Sequence, residues 1–196
     1  AYSTVAQIGY LFLMFPLAFD PATERLLGGV ALTGGVLQTV SHAFAKAGMF
    51  MAAGLIAKSL GHDRVADLAG IGRALPMSLI AFGLAGVSLV GLPPSGGFAA
   101  KWLLLSAAVD TGQWWWAVVL VLGGLFTGGY VMLVLVRAMG SAAETAEPMK
   151  PVARSREAVA LAMSLCAVLL GLVALGPLEL PAFGSAGVTV AAETVQ

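Results

Sequence analysis

Five long apolar stretches constrain the fold of this chain more than any other feature. They cover residues 1–19, 29–59, 76–109, 114–139 and 158–175. Each is long enough to cross the hydrocarbon core of a bilayer, which takes about 20 helical residues. Only 10% of the residues are charged, against roughly 25% in soluble domains. Because backbone groups in lipid must bond within their own segment, and no barrel-like alternation occurs, the sequence predicts an all-α membrane protein with about five transmembrane helices.

The basic residues predict the orientation of these helices, because short cytoplasmic loops retain an excess of Lys and Arg. Loops 58–73 and 137–156 hold seven of the ten basic residues, whereas the loops on the other side hold only Arg25. The seven are Lys58, Arg64, Arg73, Arg137, Lys150, Arg154 and Arg156. This count predicts a multi-pass protein of a bacterial inner membrane with both basic loops in the cytoplasm.

The stretch 76–109 contains the sequence GLPPSGGF, which predicts a break in that helix. Prolines remove amide donors and glycines loosen the backbone. The residues predicted to interrupt the helix are Gly91, Pro93, Pro94, Gly96 and Gly97. Two full crossings in this stretch would move the loop 137–156 to the opposite side, so one broken helix is predicted.

Lys101 follows this break inside an apolar segment, where an ammonium group is costly. We expect the N-terminal end of the resumed helix to lie near Lys101, and its partial positive charge disfavours the ammonium form. Dehydration acts in the same direction. An intramembrane lysine of this kind is typical of an ion path, and a side chain that snorkels to the interface is the alternative.

A polar stripe on the stretch 29–59 is the second candidate site. Lys46 lies roughly 18 Å of helix rise from the nearer end, which exceeds the reach of a lysine stem. His42 lies four residues earlier on the same face, with Ser41 and Gln38 beside it or one turn away. Lys46 and His42 together suit a proton relay, and a histidine that only holds helices together is the alternative for His42.

Carboxylates are missing from the predicted spans. All ten acidic residues fall in loops, at helix margins or in the tail. Lys46 and Lys101 therefore lack a carboxylate partner within the membrane core of this chain. If they are charged, we expect the counter-ions to come from an upstream half or from a neighbouring membrane subunit.

Four motifs occur in an order and spacing that resemble a known family. They are AYSTVAQIGY at 1–10, SHAFAKAGMF at 41–50, DLAGIGRALP at 67–76 and GLPPSGGFAAKWLL at 91–104. They are similar to motifs of the antiporter-like membrane subunits found in respiratory complex I (NADH:quinone oxidoreductase), in Mrp sodium/proton antiporters and in membrane-bound hydrogenases.

The resemblance implies inverted repeats with a broken helix in each half and a chain of protonatable residues along the membrane midplane. Lys101 matches the broken-helix lysine of the second half, and His42 and Lys46 match the central axis. Some members of the family carry glutamate at the position of Lys101, and some carry histidine at the position of Gln38. These differences leave open which branch of the family this chain belongs to.

The chain is shorter than typical members of the family, which implies that it is the C-terminal half of such a subunit, as a fragment or as one piece of a split protein. We expect residues 1–178 to form the transmembrane domain, corresponding to one inverted-repeat half plus a C-terminal helix, and residues 179–196 a loosely ordered tail.

Three functions follow from these features. The first is a proton-translocating subunit of a complex I-like or related redox-driven complex. The second is a subunit of an Mrp-type Na⁺/H⁺ antiporter, and the third is a non-conducting structural membrane subunit.

Cys166 is solitary, so no metal site is predicted. We expect no catalytic chemistry and no cofactor bound by this chain, and as partners the lipid bilayer and other membrane subunits rather than nucleic acid.

Overall fold

The computed structural model describes residues 2–20, 25–26, 29–140 and 150–175, and these form an α-helical membrane protein. The helices are α1 Tyr2–Phe12, α2 Met14–Leu17, α3 Gly29–Leu60, α4 Ile71–Ala74, α5 Pro76–Val90, α6 Gly96–Asp110, α7 Trp115–Met139 and α8 Arg154–Leu175. Two antiparallel two-residue strands, β1 Phe19–Asp20 and β2 Arg25–Leu26, follow α2. Three of the described helices, α3, α7 and α8, are long and apolar enough to cross a membrane. The tail 179–196 lies outside the described residues.

α3 is the central helix of the bundle. It packs against α5, α6 and α8, and α7 packs against α5 and α6 from the outer side. The contacts between α3 and α8 depend on small residues, because a Cβ atom added at Gly48 would overlap Ser164. Small residues let helix backbones approach closely in membranes, where apolar burial alone does not hold helices together.

α7 exposes a large apolar face. Leu125, Phe126 and Met139 on this helix are 69%, 74% and 75% exposed. Monomeric soluble proteins rarely expose contiguous apolar surface on this scale. The outer face of α7 therefore suits contact with lipid or with another apolar helix.

The two basic loops lie at the same end of the bundle. The Lys150 N–H donates to the Ser59 carbonyl (2.9 Å), and the Gly70 N–H donates to the Gly140 carbonyl (2.9 Å). At the opposite end, Gln113 Nε2 donates to the carbonyls of Pro16 (2.9 Å) and Phe19 (3.1 Å). α5 begins at the first end and α6 finishes at the second, so the two helices together run the length of the bundle.

The N-terminal end of α5 is capped by a carboxylate from another helix. Glu157 in the first turn of α8 is buried, and its Oε2 accepts hydrogen bonds from Ser78 N–H (3.0 Å) and Ser78 Oγ (2.9 Å). The first amides of a helix have no intrahelical acceptor, and they favour a negative charge. Glu157 thus fixes α8 against the start of α5.

Replacing Glu157 with alanine is expected to lower the free energy of unfolding by about 1–3 kcal/mol, because two buried donors lose their acceptor. Thermal unfolding in mild detergent measures the effect. Asp63→Ala is the control, since it removes an exposed carboxylate at the same end. Equal midpoints for the two variants would contradict the capping role.

Candidate functional site

The interruption between α5 and α6 is built from two helix caps. Gly91 follows α5 with a φ of +89°, a left-handed conformation that glycine adopts readily. The N–H groups of Gly91 and Leu92 both donate to the Val87 carbonyl, at 3.1 and 3.0 Å. Ser95 then caps α6, where its Oγ accepts from Phe98 N–H (3.2 Å) and donates to the Leu92 carbonyl (2.7 Å). The break therefore comprises residues 91–95.

The break is shorter than the sequence predicts, because Gly96 and Gly97 belong to the first turn of α6. The physical reason is Ser95, whose capping hydroxyl allows the helix to begin at the next residue. Pro93 and Pro94 lie between the two helices. Gly97 serves close packing instead, since a Cβ atom there would overlap the Ser88 carbonyl of α5.

Lys101 reaches back across the break to the end of α5. Its Nζ donates to the carbonyls of Leu89 (2.8 Å) and Val90 (2.9 Å). The last carbonyls of a helix have no intrahelical donor, and they carry partial negative charge that favours a cation. The expectation that the N-terminal end of α6 acts on Lys101 is therefore wrong. Side chains on a helix lean toward its N-terminus, and α5 ends directly before the start of α6, so the long Lys101 side chain reaches the last carbonyls of α5.

α1 contributes two side chains that the sequence analysis missed. Lys101 Nζ lies 5.5 Å from the centroid of the Tyr10 ring. Gln7, one turn earlier, is 1% exposed and donates from Nε2 to Thr127 Oγ1 (3.1 Å) and to the Leu89 carbonyl (3.4 Å). The signal was present in the sequence, because Gln7 and Tyr10 are three residues apart on one face of an apolar helix.

Ser88 joins the helix break to the polar stripe on α3. Ser88 Oγ and Ser41 Oγ are 2.9 Å apart and share a hydrogen bond. The Gly97 N–H also donates to Ser88 Oγ, at 3.3 Å. Ser41 therefore lies directly beside the junction of α5 and α6, and the two candidate sites of the sequence form one connected polar region.

The polar stripe faces the interior of the bundle. Gln38, His42 and Lys46 are 2%, 9% and 7% exposed. Lys46 Nζ lies 5.6 Å from the centroid of the Phe50 ring. Gln38 Oε1 and His42 Nδ1 are buried without a hydrogen-bond partner among the described residues. Burial on this scale is what the sequence predicts for a polar line on an apolar helix.

Lys101 also borders an apolar cleft of about 830 Å³ between α6 and α7. Gly91, Trp102 and Gly124 are among the residues that line it. A Cβ atom at Gly124 would lie 3.1 Å from the Val90 carbonyl and 3.8 Å from Lys101 Nζ. The cleft therefore extends from the outer surface of the bundle to the Lys101 ammonium group.

Comparison with known proteins assigns this arrangement to a family. The family model described as NADH:quinone oxidoreductase/Mrp antiporter, transmembrane, matches residues 1–127. The chain belongs to this family. The match confirms the resemblance carried by the four motifs and makes the chain an antiporter-like membrane protein.

Two relatives of this antiporter-like chain are subunits of oxidoreductases. NADH-quinone oxidoreductase subunit N of Desulforudis audaxviator is 38% identical over 135 residues, which cover 69% of this chain and 25% of that protein. F(420)H(2) dehydrogenase subunit N of Methanosarcina mazei is 32% identical over 131 residues, or 62% of this chain and 25% of that protein. The chain spans about a quarter of the length of these curated relatives.

Two solved structures share the antiporter-like fold. The Mrp complex from a Dietzia species aligns with a TM-score of 0.75 and 27% identity, over 88% of this chain and 39% of that chain. Respiratory complex I from Thermus thermophilus with bound aureothin aligns with a TM-score of 0.54 and 23% identity, over 87% of this chain and 43% of that chain. The second likeness concerns the fold alone.

Proposed function

We propose that this chain is part of a proton-translocating membrane subunit of a complex I-like or related redox-driven complex. The observation that supports this function best is the contact of Lys101 Nζ with two free carbonyls at a helix break. A protonatable group beside interrupted helices is the arrangement that membrane transporters use for coupling ions. The oxidoreductase names of the two relatives agree with a redox-driven complex.

Two opposing effects allow Lys101 to gain and release a proton. Its apolar surroundings on the cleft side disfavour the ammonium form, whereas the carbonyls of Leu89 and Val90 favour it. A small change in nearby charge then decides which form is populated. Lys101 acts as the terminal proton donor and acceptor in this mechanism.

The proton path continues from Lys101 toward α3. Ser88 and Ser41 connect the break to the stripe through their hydroxyl groups. His42 and Lys46 are the relay, with Gln38 and Ser41 as supporting groups. The unpartnered Gln38 Oε1 and His42 Nδ1 provide hydrogen-bonding positions for water, which carries protons between side chains too far apart for direct transfer.

We also propose the membrane arrangement. α5 and α6 form one interrupted crossing, which with α1–α2, α3, α7 and α8 makes five. Loops 58–73 and 137–156 face the cytoplasm of a bacterium, in agreement with their position at one end of the bundle and their seven basic residues. The neighbours are other membrane subunits, and an upstream half or one of these subunits supplies the carboxylate that balances the buried lysines.

Sodium/proton antiport is the second candidate function, favoured by the likeness to the Dietzia Mrp complex. Redox-driven translocation and sodium/proton antiport differ in the energy source for proton movement. In proteoliposomes that contain the whole complex, a redox-driven subunit moves protons when an electron donor is added without sodium. An antiporter moves them in response to a sodium gradient alone, and that result would replace the first proposal with the second.

Replacing Lys46 with alanine is expected to reduce the proton translocation rate at least about tenfold, because the relay loses a protonatable group. Dye-monitored acidification of proteoliposomes measures the rate. Lys58→Ala is the matched control, since Lys58 lies on the same helix but is exposed. Equal rates for both variants would remove Lys46 from the path.

A further inference from the structure

We infer that Gln7 positions Lys101 by exchanging with it as the hydrogen-bond donor to the Leu89 carbonyl. Both side chains point at this one oxygen, Lys101 Nζ from 2.8 Å and Gln7 Nε2 from 3.4 Å. The inference rests on the proposed function, because the exchange matters only if Lys101 changes its protonation state. It assigns a role to α1, which sequence reasoning left without a site residue.

The hydrogen bonds around Gln7 determine the orientation of its amide. Thr127 Oγ1 donates its hydrogen to the Gly123 carbonyl (2.8 Å), so toward Gln7 it can only accept. The Leu89 carbonyl is likewise an acceptor only. The amide edge that faces both groups must therefore be the NH₂ group, and a flipped amide would place oxygen against oxygen.

This orientation leaves the other half of the amide unused. Gln7 Oε1 is buried without a hydrogen-bond partner among the described residues. The side chain thus has one long bond to the Leu89 carbonyl, which Lys101 also contacts, and one free acceptor. The Gln7 amide can therefore form a stronger hydrogen bond to the Leu89 carbonyl when Lys101 moves away from it.

The exchange has a direct consequence for Lys101. When the ammonium form is present, it holds the Leu89 carbonyl with the shorter bond. When Lys101 loses its proton, its remaining N–H groups form weaker hydrogen bonds without the charge, and the Leu89 carbonyl then depends more on a second donor, because an under-satisfied carbonyl at membrane depth is costly. Gln7 Nε2 already lies beside that oxygen and takes over. Gln7 therefore lowers the cost of deprotonation and shifts the balance toward the neutral amine.

The test uses Gln7→Leu in the full-length subunit within its complex, reconstituted in proteoliposomes. Without the substitute donor, Lys101 should keep its proton to higher pH. We expect the proton translocation rate to fall about tenfold at neutral pH and its rising pH limb to move upward by about one unit. Gln7→Glu should move the limb further, because a carboxylate beside Lys101 holds the ammonium form.

Other titratable side chains lie within the helices around α6, and both variants leave them in place. They are Tyr2 and Tyr10 on α1, His42, Lys46 and Lys58 on α3, Tyr130 and Arg137 on α7, and Arg154, Arg156, Glu157 and Cys166 on α8, with Asp110 at the end of α6 itself. α5 contributes none. A shift of the pH limb in the Gln7 variants therefore reports on the change made beside Lys101.

The outcomes separate this inference from the proposed function. A lower rate at every pH without a shift of the limb would show that Gln7 only packs helices, and it would overturn the inference. If Gln7→Leu fails to assemble, Gln7→Met, which also removes the donor but keeps an unbranched side chain of similar length, carries the same test, and an unshifted limb again overturns it. Lys101→Ala is measured alongside. Its normal translocation would refute the proposed function itself, whereas its loss beside an unaffected Gln7→Leu would refute only the exchange.

Discussion

Replacing Lys101 with alanine is expected to lower proton translocation by the complex on the order of a hundredfold or more, the scale of a lost acid–base group. The protonatable group at the helix break is then gone, and the Leu89 and Val90 carbonyls lose Lys101 as their donor. Assembly should be intact, because the Leu89 carbonyl still accepts from Gln7 Nε2 and the loss of the Lys101 bond to the Val90 carbonyl costs only about 1–3 kcal/mol. Dye-monitored proton uptake in proteoliposomes measures the rate, and native electrophoresis checks assembly.

Lys101→Arg is the control that separates charge from proton transfer. Arginine keeps a cation against the carbonyls but does not release its proton. It should therefore preserve assembly and still fail to translocate. Translocation at the wild-type rate in Lys101→Ala would contradict the role of Lys101 as the terminal donor and acceptor.

The second large effect is expected for Gly97→Ala, which should lower the free energy of unfolding by about 3 kcal/mol or more. A Cβ atom at this position would overlap the Ser88 carbonyl and lie 3.1 Å from Ser88 Oγ. α6 would have to move away from α5, which also breaks the hydrogen bond between Gly97 N–H and Ser88 Oγ. Thermal unfolding of the detergent-solubilised protein measures the loss.

Gly54→Ala is the matched control, because Gly54 also lies within a helix but has nothing within 4 Å of an added Cβ atom. Alanine there should be neutral or should stabilise α3 by up to about 1 kcal/mol. A similar midpoint for Gly97→Ala and the wild type would contradict the close contact of the two half-helices.

Apolar length was sufficient to predict the long helices. α3 and α7 begin and end within one residue of the stretches 29–59 and 114–139. The first stretch was less predictable, since its helix is interrupted at Leu13 between α1 and α2. The local signal for that turn was Pro16, which has no N–H to donate to the Phe12 carbonyl and whose ring clashes with it.

The residues of the candidate site were also only partly predictable from the sequence. Burial of His42 and Lys46 followed from their spacing on an apolar helix. The partners of Lys101 did not, because they depend on how its side chain crosses the break and on where α1 packs. Ser95 was the local signal for the true start of α6, but the neighbouring glycines obscured it. The shared helix face of Gln7 and Tyr10 was visible in the sequence, but the hydrogen bond from Gln7 to the Leu89 carbonyl depends on tertiary packing, which no sequence period encodes.

The most direct test of the mechanism is the protonation of Lys101 during turnover. A membrane-permeant acylating reagent reacts with neutral amines, and mass spectrometry of the peptides quantifies modification of Lys101 relative to the exposed Lys58. In separate samples given a short pulse of the reagent, the mechanism predicts that this ratio during turnover differs from the ratio at rest, and that it has the resting value in samples labelled after the driving reaction has stopped. An identical ratio at rest and during turnover would contradict the claim that Lys101 carries the translocated proton.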